Sequence, residues 1–300
     1  MPLKSQLHVN KLLSNVSVQY KNEEYIWDKV FPILPVTKDT DLYRVYDRNF
    51  KIPETSRAPK AVAKEFTFEF STSSYALEQH ALKDYVGVDE EEQNDMGSLQ
   101  VDTTESLTDA IYRRIELSVA ALFTKTSWSL SVSLAAGSAF SDNTVTSDPV
   151  RIFDTAASTI IAQSAKTPTF GILPRAGFLS VKNHVSVLDR VKYTSSEVSK
   201  NMIQALIGLS ELHVPVSVYD TAAEGVAASL APFFTNAFVG WKPAGGGGLK
   251  TPSCGYTFMG RTPRVRSWKD EERNATAIEV EVKYSPKVVA SLTGYLIGGI

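Results

Sequence analysis

The clearest pattern of apolar and polar positions predicts one long helix over about residues 103–126. Asp102 is the expected N-cap, and Glu105 follows three residues later, as in a capping box. A helix of this length runs roughly 37 Å at about 1.5 Å per residue, so it can act as a spine for a sheet. Arg113, Arg114 and Glu116 fall outside the expected buried stripe. The stripe has helical spacing and comprises Leu107, Ile111, Ile115, Ser118, Val119 and Leu122.

Strict alternation of apolar and polar residues predicts strands in two other regions. Residues Leu42–Tyr46 and Lys64–Phe70 both alternate, which predicts a long hairpin over residues 40–77. A two-stranded ribbon alone is marginal in water, so this hairpin needs a surface beneath it. Near the C-terminal end, three further strands are expected at Tyr256–Met259, Val265–Trp268 and Ala277–Tyr284.

Helices alternate with short strands between residues 148 and 242, which predicts an α/β subdomain. Asp148 and Pro149 form an N-cap followed by proline at the first helical position. Ser127–Ser147 is predicted to be a connector. The remaining predicted elements are a strand at Phe170–Leu173, helices at Ala176–Val187 and Thr194–Leu209, and a strand at His213–Tyr219.

The first hundred residues contain extended, proline-punctuated and charged segments, with no long helix to cover them. Residues 1–35 are predicted to form an arm whose apolar cluster includes Trp27 and Phe31. Backbone polar groups in a folded chain must find partners, so we expect the arm and the hairpin to lie on another molecule. This arrangement predicts a protein that assembles.

Composition places the chain among soluble globular proteins, with 43% hydrophobic and 21% charged residues. The formal charge of −2 lacks the basic footprint of a dedicated nucleic-acid binder. A single cysteine, Cys254, excludes an intramolecular disulfide framework. The polar start does not resemble a signal peptide, and the apolar runs are shorter than the ~20 residues that cross a bilayer. These features predict a cytosolic protein without a membrane partner.

No constellation of residues predicts an active site, a metal or a cofactor. The run Ala244–Thr251 is rich in glycine, but Leu249 stands where a phosphate-binding loop needs the glycine before its lysine. Cys254 has no histidine placed as a catalytic base, and the scattered histidines have no zinc spacing. The acidic run at Asp84–Asp95 lacks the ligand pattern of a calcium loop. It is interpreted as a solvated loop, or as charge near the N-terminus of the next helix.

The C-terminal two-thirds of the chain resembles the major capsid proteins of tailed bacteriophages, which have the Hong Kong 97-type fold. An Asp-Pro pair opens a helix in SDPVRIF, the strand and helix of ILPRAGFLSVKNHVSVLDRVKY follow, and then comes SELHVPVSVYD. The strand GYTFMGR precedes the charged pair of strands around VRSWKDEERNATAIEVEVKY, and the pattern finishes near GYLIGGI. These motifs span about residues 148–300, and the layout of the first part extends the resemblance forward.

The resemblance implies an α+β fold with a division into four parts. Residues 1–36 would be an N-terminal arm and residues 37–80 an extended β-hairpin loop. Residues 81–147 and 246–300 would form a peripheral domain that contains the spine helix. Residues 148–245 would form an α/β axial domain around the five- and six-fold axes, with a loop there at about 221–232.

The resemblance also implies a structural protein that is not an enzyme. Copies would self-assemble into hexamers and pentamers of an icosahedral shell around double-stranded phage DNA. The chain begins with an arm and has no room for a cleaved scaffolding segment, so a separate scaffolding protein and a portal are expected. Assembly would take place in the host cytoplasm, and the product would be the virion capsid. Covalent crosslinking through a loop lysine is not expected, since no partner asparagine or catalytic glutamate can be identified.

The predicted contacts between subunits involve two apolar side chains of the arm and oppositely charged groups. The basic tip of the hairpin is expected to pair with the acidic residues of another subunit. Two alternatives remain at this point: an encapsulin-like shell that encloses an enzyme, and a cytosolic nucleotide-binding enzyme. The expected contact residues are Trp27, Phe31, Lys51, Arg57, Lys60, Glu90, Glu91 and Glu92.

Overall fold

A computed structural model describes residues 25–45, 52, 54–63, 65, 71–94, 97–142, 147–192, 198–223, 225–245, 248 and 253–300. Most of the predicted arm, residues 1–24, lies outside the described residues. The helices are α1 (Trp27–Val30), α2 (Val88–Glu92), α3 (Leu99–Ala120), α4 (Pro149–Ser164), α5 (Arg175–Lys182), α6 (Val185–Val191) and α7 (Lys200–Ile207). The strands are β1 (Ile33–Pro35), β2 (Thr40–Val45), β3 (Ser71–Ala76), β4 (Glu78–Gly87), β5 (Leu130–Ser133), β6 (Phe170–Ile172), β7 (Glu211–His213), β8 (Val218–Asp220), β9 (Leu230–Pro232), β10 (Ala237–Gly240), β11 (Gly255–Asp270), β12 (Ala275–Val288) and β13 (Gly294–Gly298).

A four-stranded sheet in the order β1-β11-β12-β4 forms the first half of the fold. The strands β4, β11 and β12 are antiparallel neighbours, whereas β1 joins the edge of β11 in parallel. The alternation predicted for residues 277–284 is confirmed, and β11 unites two strands that were predicted separately. Helix α3 packs on one face of this sheet, against a core that includes buried side chains of β12. This face includes Val280, Val282 and Tyr284.

The spine helix is confirmed, but its ends differ from the prediction. Helix α3 begins at Leu99 after the N-cap Ser98, so Asp102 lies inside the first turn. Its last residue is Ala120, six residues before the predicted end. The stripe prediction holds for Ile111, Ile115 and Val119, which are all buried.

A five-stranded sheet in the order β5-β13-β10-β6-β7 forms the second half. Strand β13 pairs in parallel with β5 and antiparallel with β10. Residues 130–133 were predicted within a connector, and residues 294–298 were predicted with the peripheral part. Residues 130–133 form a strand instead of a connector, and both segments belong to the sheet that contains β6 and β10. The domain division itself stays a prediction.

The helices around the second sheet begin and end at residues that cap them. Asp148 accepts hydrogen bonds from the N–H groups of Val150 and Arg151, so α4 begins as predicted. The predicted helix at 176–187 is instead two helices, because His184 caps α6 by accepting from the N–H of Ser186 at 3.2 Å. Helix α7 ends at Gly208 in the left-handed conformation, as expected for a glycine C-cap. The predicted strand at 213–219 is divided between the ends of β7 and β8.

The predicted hairpin at residues 40–77 is present in its described part. Strand β2 pairs with β3, whose residues 71–76 follow the predicted segment 64–70. Most of residues 64–70 lie outside the described residues. The acidic run is not a loop: Asp84 is in β4, and the next acids fall in the first turn of α2. Within the described residues, no helix is both long and apolar enough to cross a membrane.

Candidate assembly surfaces and the N-terminal anchor

Residues 25–35 are packed on their own chain, which corrects the prediction that they wait for a neighbour. Phe31 is 0% exposed and Trp27 is 8% exposed within the isolated subunit. The Phe31 ring lies 5.5 Å from that of Phe123, measured between ring centroids. Gly255 is required beside it, because a Cβ atom there would come within 2.5 Å of the Phe31 ring. These two side chains therefore stabilise the subunit and are not contacts between subunits in this conformation.

The prediction failed because the apolar character of Trp27 and Phe31 indicates that they are buried but does not indicate which surface covers them. The partners here lie some 80 to 100 residues along the chain, in α3 and the segment that follows it. The Trp27 ring lies 6.1 Å from the ring of Tyr112, again between centroids. Strand β1 continues the contact, since the N–H of Val36 donates to the carbonyl of Met259 at 3.0 Å.

Glu116 is the functional residue that the sequence pattern missed. It lies on the buried side of α3, is 0% exposed, and accepts hydrogen bonds from two backbone N–H groups of the N-terminal segment. The Trp27 N–H donates to Oε2 at 2.9 Å, and the Ile26 N–H lies 3.2 Å from both carboxylate oxygens. Burial raises the pKa of Glu116 to about 7, and the two N–H donors oppose that rise.

Lys242, just after β10, holds the other end of the same segment. Its Nζ donates to the carbonyl of Lys29 and to the carboxylate of Glu211, each at 2.7 Å. The ammonium also lies 5.4 Å from the centroid of the Phe170 ring. Burial raises the pKa of Glu211, but its bond to Lys242 outweighs this and leaves the pKa below the usual value.

The hairpin formed by β2 and β3 is buried at its base, whereas the described apolar side chains Ile52 and Val62 beyond the base are exposed. Tyr43 and Tyr75 are buried against Phe258, and the Tyr75 ring stacks on it with centroids 4.5 Å apart. Beyond this base, Ile52 is 94% exposed and Val62 is 93% exposed. Large apolar side chains in water favour association.

The charged contact residues are found at the surface, apart from Lys51, which lies outside the described residues. Arg57 and Lys60 are exposed on the hairpin extension, and Lys60 has a positive φ of 68°. In the described part of a single subunit, no ion pair joins either of them to Glu90, Glu91 or Glu92. Pairing with another subunit therefore stays a prediction.

Two of the three acidic residues, Glu90 and Glu91, already have local contacts. Glu90 accepts a hydrogen bond from the N–H of Gly87 at 3.2 Å. Glu91 accepts from Gln100 at 2.8 Å and from the Ser98 hydroxyl at 3.3 Å, which ties α2 to the start of α3. Glu90 and Glu92 remain exposed, so they are the better placed of the three for contacts outside the subunit.

The loop between β8 and β9 also carries exposed apolar side chains. Val226 and Leu230 are each 66% exposed. Asp220 shapes the loop, because its carboxylate accepts from the N–H of Ala222 at 2.9 Å and of Ser229 at 2.8 Å. These bonds lower the pKa of Asp220. The predicted axial loop at 221–232 therefore has a fixed base and an apolar surface.

The candidates for catalysis do not form a site among the described residues. Cys254 is fully buried, and burial raises the pKa of its thiol to about 12, so it is held as an inert thiol. His213 lies 3.2 Å from Glu211, and burial lowers its pKa. No group of three or more potential metal ligands occurs in the described ranges. Most of the glycine-rich run 244–251 lies outside them.

Comparison with known proteins identifies the fold. No family model matches the chain. The chain is similar to the major capsid protein of Burkholderia phage BcepMu, with 22% identity over 303 residues, 97% of this chain and 96% of that protein. A solved phage-related protein from Bordetella bronchiseptica superimposes with a TM-score of 0.76 and 22% identity, covering 96% of each chain. The capsid structure of cyanophage P-SCSP1u gives a TM-score of 0.65 at 10% identity, covering 93% of this chain and 89% of that one.

The predicted resemblance to tailed-phage major capsid proteins is confirmed, and so is the α+β fold of the Hong Kong 97 type. The similarity covers nearly the full length of both partners, so it includes the hairpin, the spine helix and both sheets.

Proposed function

We propose that this chain is a major capsid protein whose copies assemble into the hexamers and pentamers of an icosahedral phage head. The single observation that carries the proposal is the exposed hairpin extension. Leu42 of β2 is 65% exposed, and Ile52 and Val62, which lie between β2 and β3 in sequence, are 94% and 93% exposed. A two-stranded hairpin has no second layer to bury such side chains. A neighbouring copy would supply the missing surface, and closed assemblies reuse one such interface around each ring.

The four-part division of the chain gives each surface a role in this assembly. The arm is residues 1–36, and the loop is residues 37–80. The peripheral part is residues 81–147 and 246–300, and the axial part is residues 148–245. The sheet pairing suggests one refinement, namely that residues 130–133 and 294–298 move with the axial part. The apolar loop at 221–232 would then meet its copies near the axis of each ring.

The role of a capsid subunit also predicts which partners the chain would have. The shell would enclose double-stranded DNA in the virion and would contact it without sequence preference, since the formal charge of the chain is only −2. A separate scaffolding protein and a portal would direct assembly in the host cytoplasm. The basic side chains Lys51, Arg57 and Lys60 would face the exposed acids Glu90 and Glu92 of a neighbour.

Negative-stain electron microscopy with sedimentation of the purified chain tests the proposal. We expect rings of five or six, tubes or closed shells, either from the chain alone or after co-expression with a scaffolding protein. Val62→Asp should abolish these particles and leave a folded subunit. Ser56→Asp adds the same charge to the same extension at an exposed polar position and should still assemble. A wild-type chain that stays monomeric with every scaffold tried would overturn the proposal.

A further inference from the structure

Helix α1 is too short to be stable by itself. Only two backbone hydrogen bonds define it, from Val30 to Ile26 at 2.9 Å and from Phe31 to Trp27 at 3.0 Å. The first turn of any helix fixes several dihedral angles for one hydrogen bond, which makes isolated turns unfavourable in water. Other parts of the molecule must therefore hold this turn in place.

A buried carboxylate holds the N-terminal end. Glu116 accepts from the N–H groups of Ile26 and Trp27, which are among the donors that a helix leaves unpaired at its start. The side chain has no exposed surface, so its hydrogen-bonding capacity is directed at this backbone.

An ammonium group holds the C-terminal end. Lys242 donates to the carbonyl of Lys29, which is one of the acceptors left unpaired at the end of the helix. Positive charge is favoured at this end. The Lys242 side chain is 16% exposed and is also paired with Glu211, so its position is fixed from two sides.

The two charged groups come from different halves of the fold. Glu116 belongs to α3, which covers the four-stranded sheet, whereas Lys242 follows β10 of the five-stranded sheet. Both ends of α1 are satisfied only when the two sheets have their present arrangement. The helix therefore bridges the two halves of the fold. It is bonded to Glu116 on the side of the four-stranded sheet and to Lys242 on the side of the five-stranded sheet.

We propose that α1 is a strap, clamped by Glu116 at one end and Lys242 at the other, which ties the two sheets together. The two clamps act as a unit, since losing either one frees a turn that cannot persist alone. This inference goes beyond assembly, because the strap is intramolecular and is present in the unassembled subunit.

Hydrogen–deuterium exchange on unassembled subunits, separated by size exclusion, tests the strap. In Lys242→Met we expect exchange at the amides of Ile26, Trp27, Val30 and Phe31 to accelerate at least tenfold. The acceleration at Ile26 and Trp27, at the far end from the substitution, is the decisive observation. Glu116→Gln keeps one carbonyl acceptor and should give a smaller acceleration across the same amides. Lys242→Arg retains a cationic donor and should restore slow exchange.

Matched controls separate the strap from a general loss of stability. Glu281 is a second buried carboxylate, bonded to Gln79 and Arg266 on the opposite face of the sheet, so Glu281→Gln should leave exchange at residues 26–31 unchanged. Lys283→Met removes an ammonium that is bonded to Asp39 and whose side chain is 22% exposed, close to the 16% of Lys242. The proposal is overturned if Lys242→Met affects only Val30 and Phe31, or if the controls accelerate exchange as much as the clamp variants. These outcomes are independent of whether shells form.

Discussion

The N-terminal segment and the β2–β3 hairpin look alike in sequence and behave in opposite ways in the fold. Both are short extended pieces with large apolar side chains, and both lie before the spine helix. Phe31 is completely buried by its own chain, whereas Ile52 is 94% exposed. The comparison shows that an apolar segment can either be buried within its own subunit or stay exposed for contact with another subunit. The partners of the backbone differ between the two regions. The first segment bonds to α3, β11 and Lys242 of the same subunit, whereas β2 and β3 pair with each other.

Truncation of Phe31 should have the largest effect on the subunit. We expect Phe31→Ala to lower the free energy of unfolding by about 3–5 kcal/mol, because it removes a fully buried ring and leaves a cavity beside Phe123 and Trp128. Urea denaturation of the unassembled subunit measures this change. A loss below ~1 kcal/mol would mean that this segment is not part of the core.

The pH dependence of Glu116 should be the next largest effect. Its pKa is raised from 4.5 to about 7, so the stability it contributes is fully present below pH 4.5 and is lost as the pH rises through 7. The main cause is burial, and the charged groups that act on it are Asp28, which raises the pKa, and Lys29, which lowers it. At ~1.4 kcal/mol per pKa unit, the loss between pH 5.5 and 8.5 should be about 2 kcal/mol.

Glu116→Gln provides the comparison for that measurement. The amide cannot ionise, so the variant should lack this component, and the difference between the two proteins cancels the other titrating groups. Denaturation midpoints at the two pH values give the result. Parallel pH profiles of the wild type and the variant would show that the carboxyl group does not titrate in this range.

A smaller effect is expected at the base of the hairpin. Tyr75→Leu keeps an apolar side chain but loses the stacking on Phe258, which is worth about 0.5–1.5 kcal/mol beyond area burial. We expect a decrease of that size in the free energy of unfolding. Tyr75→Phe keeps the ring and should remain close to the wild type, which distinguishes stacking from the weak 3.4 Å bond between the hydroxyl and Lys38.

The smallest effect on the subunit should come from the hairpin extension. Ile52→Ala removes a side chain that is almost entirely in water, so the free energy of unfolding should change by less than ~0.5 kcal/mol. The same substitution should weaken assembly, measured as the fraction of chain in particles by sedimentation. A variant that is destabilised but assembles normally would reverse the roles assigned to the two regions.

Features with local causes were predictable from the sequence. The start of α4 needs only Asp148 and Pro149, and the alternation in β12 needs only neighbouring residues. The capsid-type fold was predicted from the order of such motifs along the chain. Helix α3 was found by its apolar stripe, although Ser98 rather than Asp102 precedes its first turn.

Features that depend on distant partners were not predictable. Glu116 was placed outside the buried stripe, because nothing near it in sequence indicates that the N–H groups of residues 26 and 27, about 90 positions away, will meet it. Strands β5 and β13 are short and pair in parallel across more than 160 residues. Trp27 and Phe31 were correctly expected to be covered, but the covering surface is their own subunit.

The position of β13 has a consequence for synthesis. This strand lies between β5 and β10, so the five-stranded sheet stays split until residues 294–298 have left the ribosome. In the described sheet, strand β5 pairs only with β13. It therefore has no strand partner until more than 150 further residues have been translated. A nascent chain therefore cannot complete this half of the fold before residue 298 has emerged, and contacts that need the finished sheet are delayed until then.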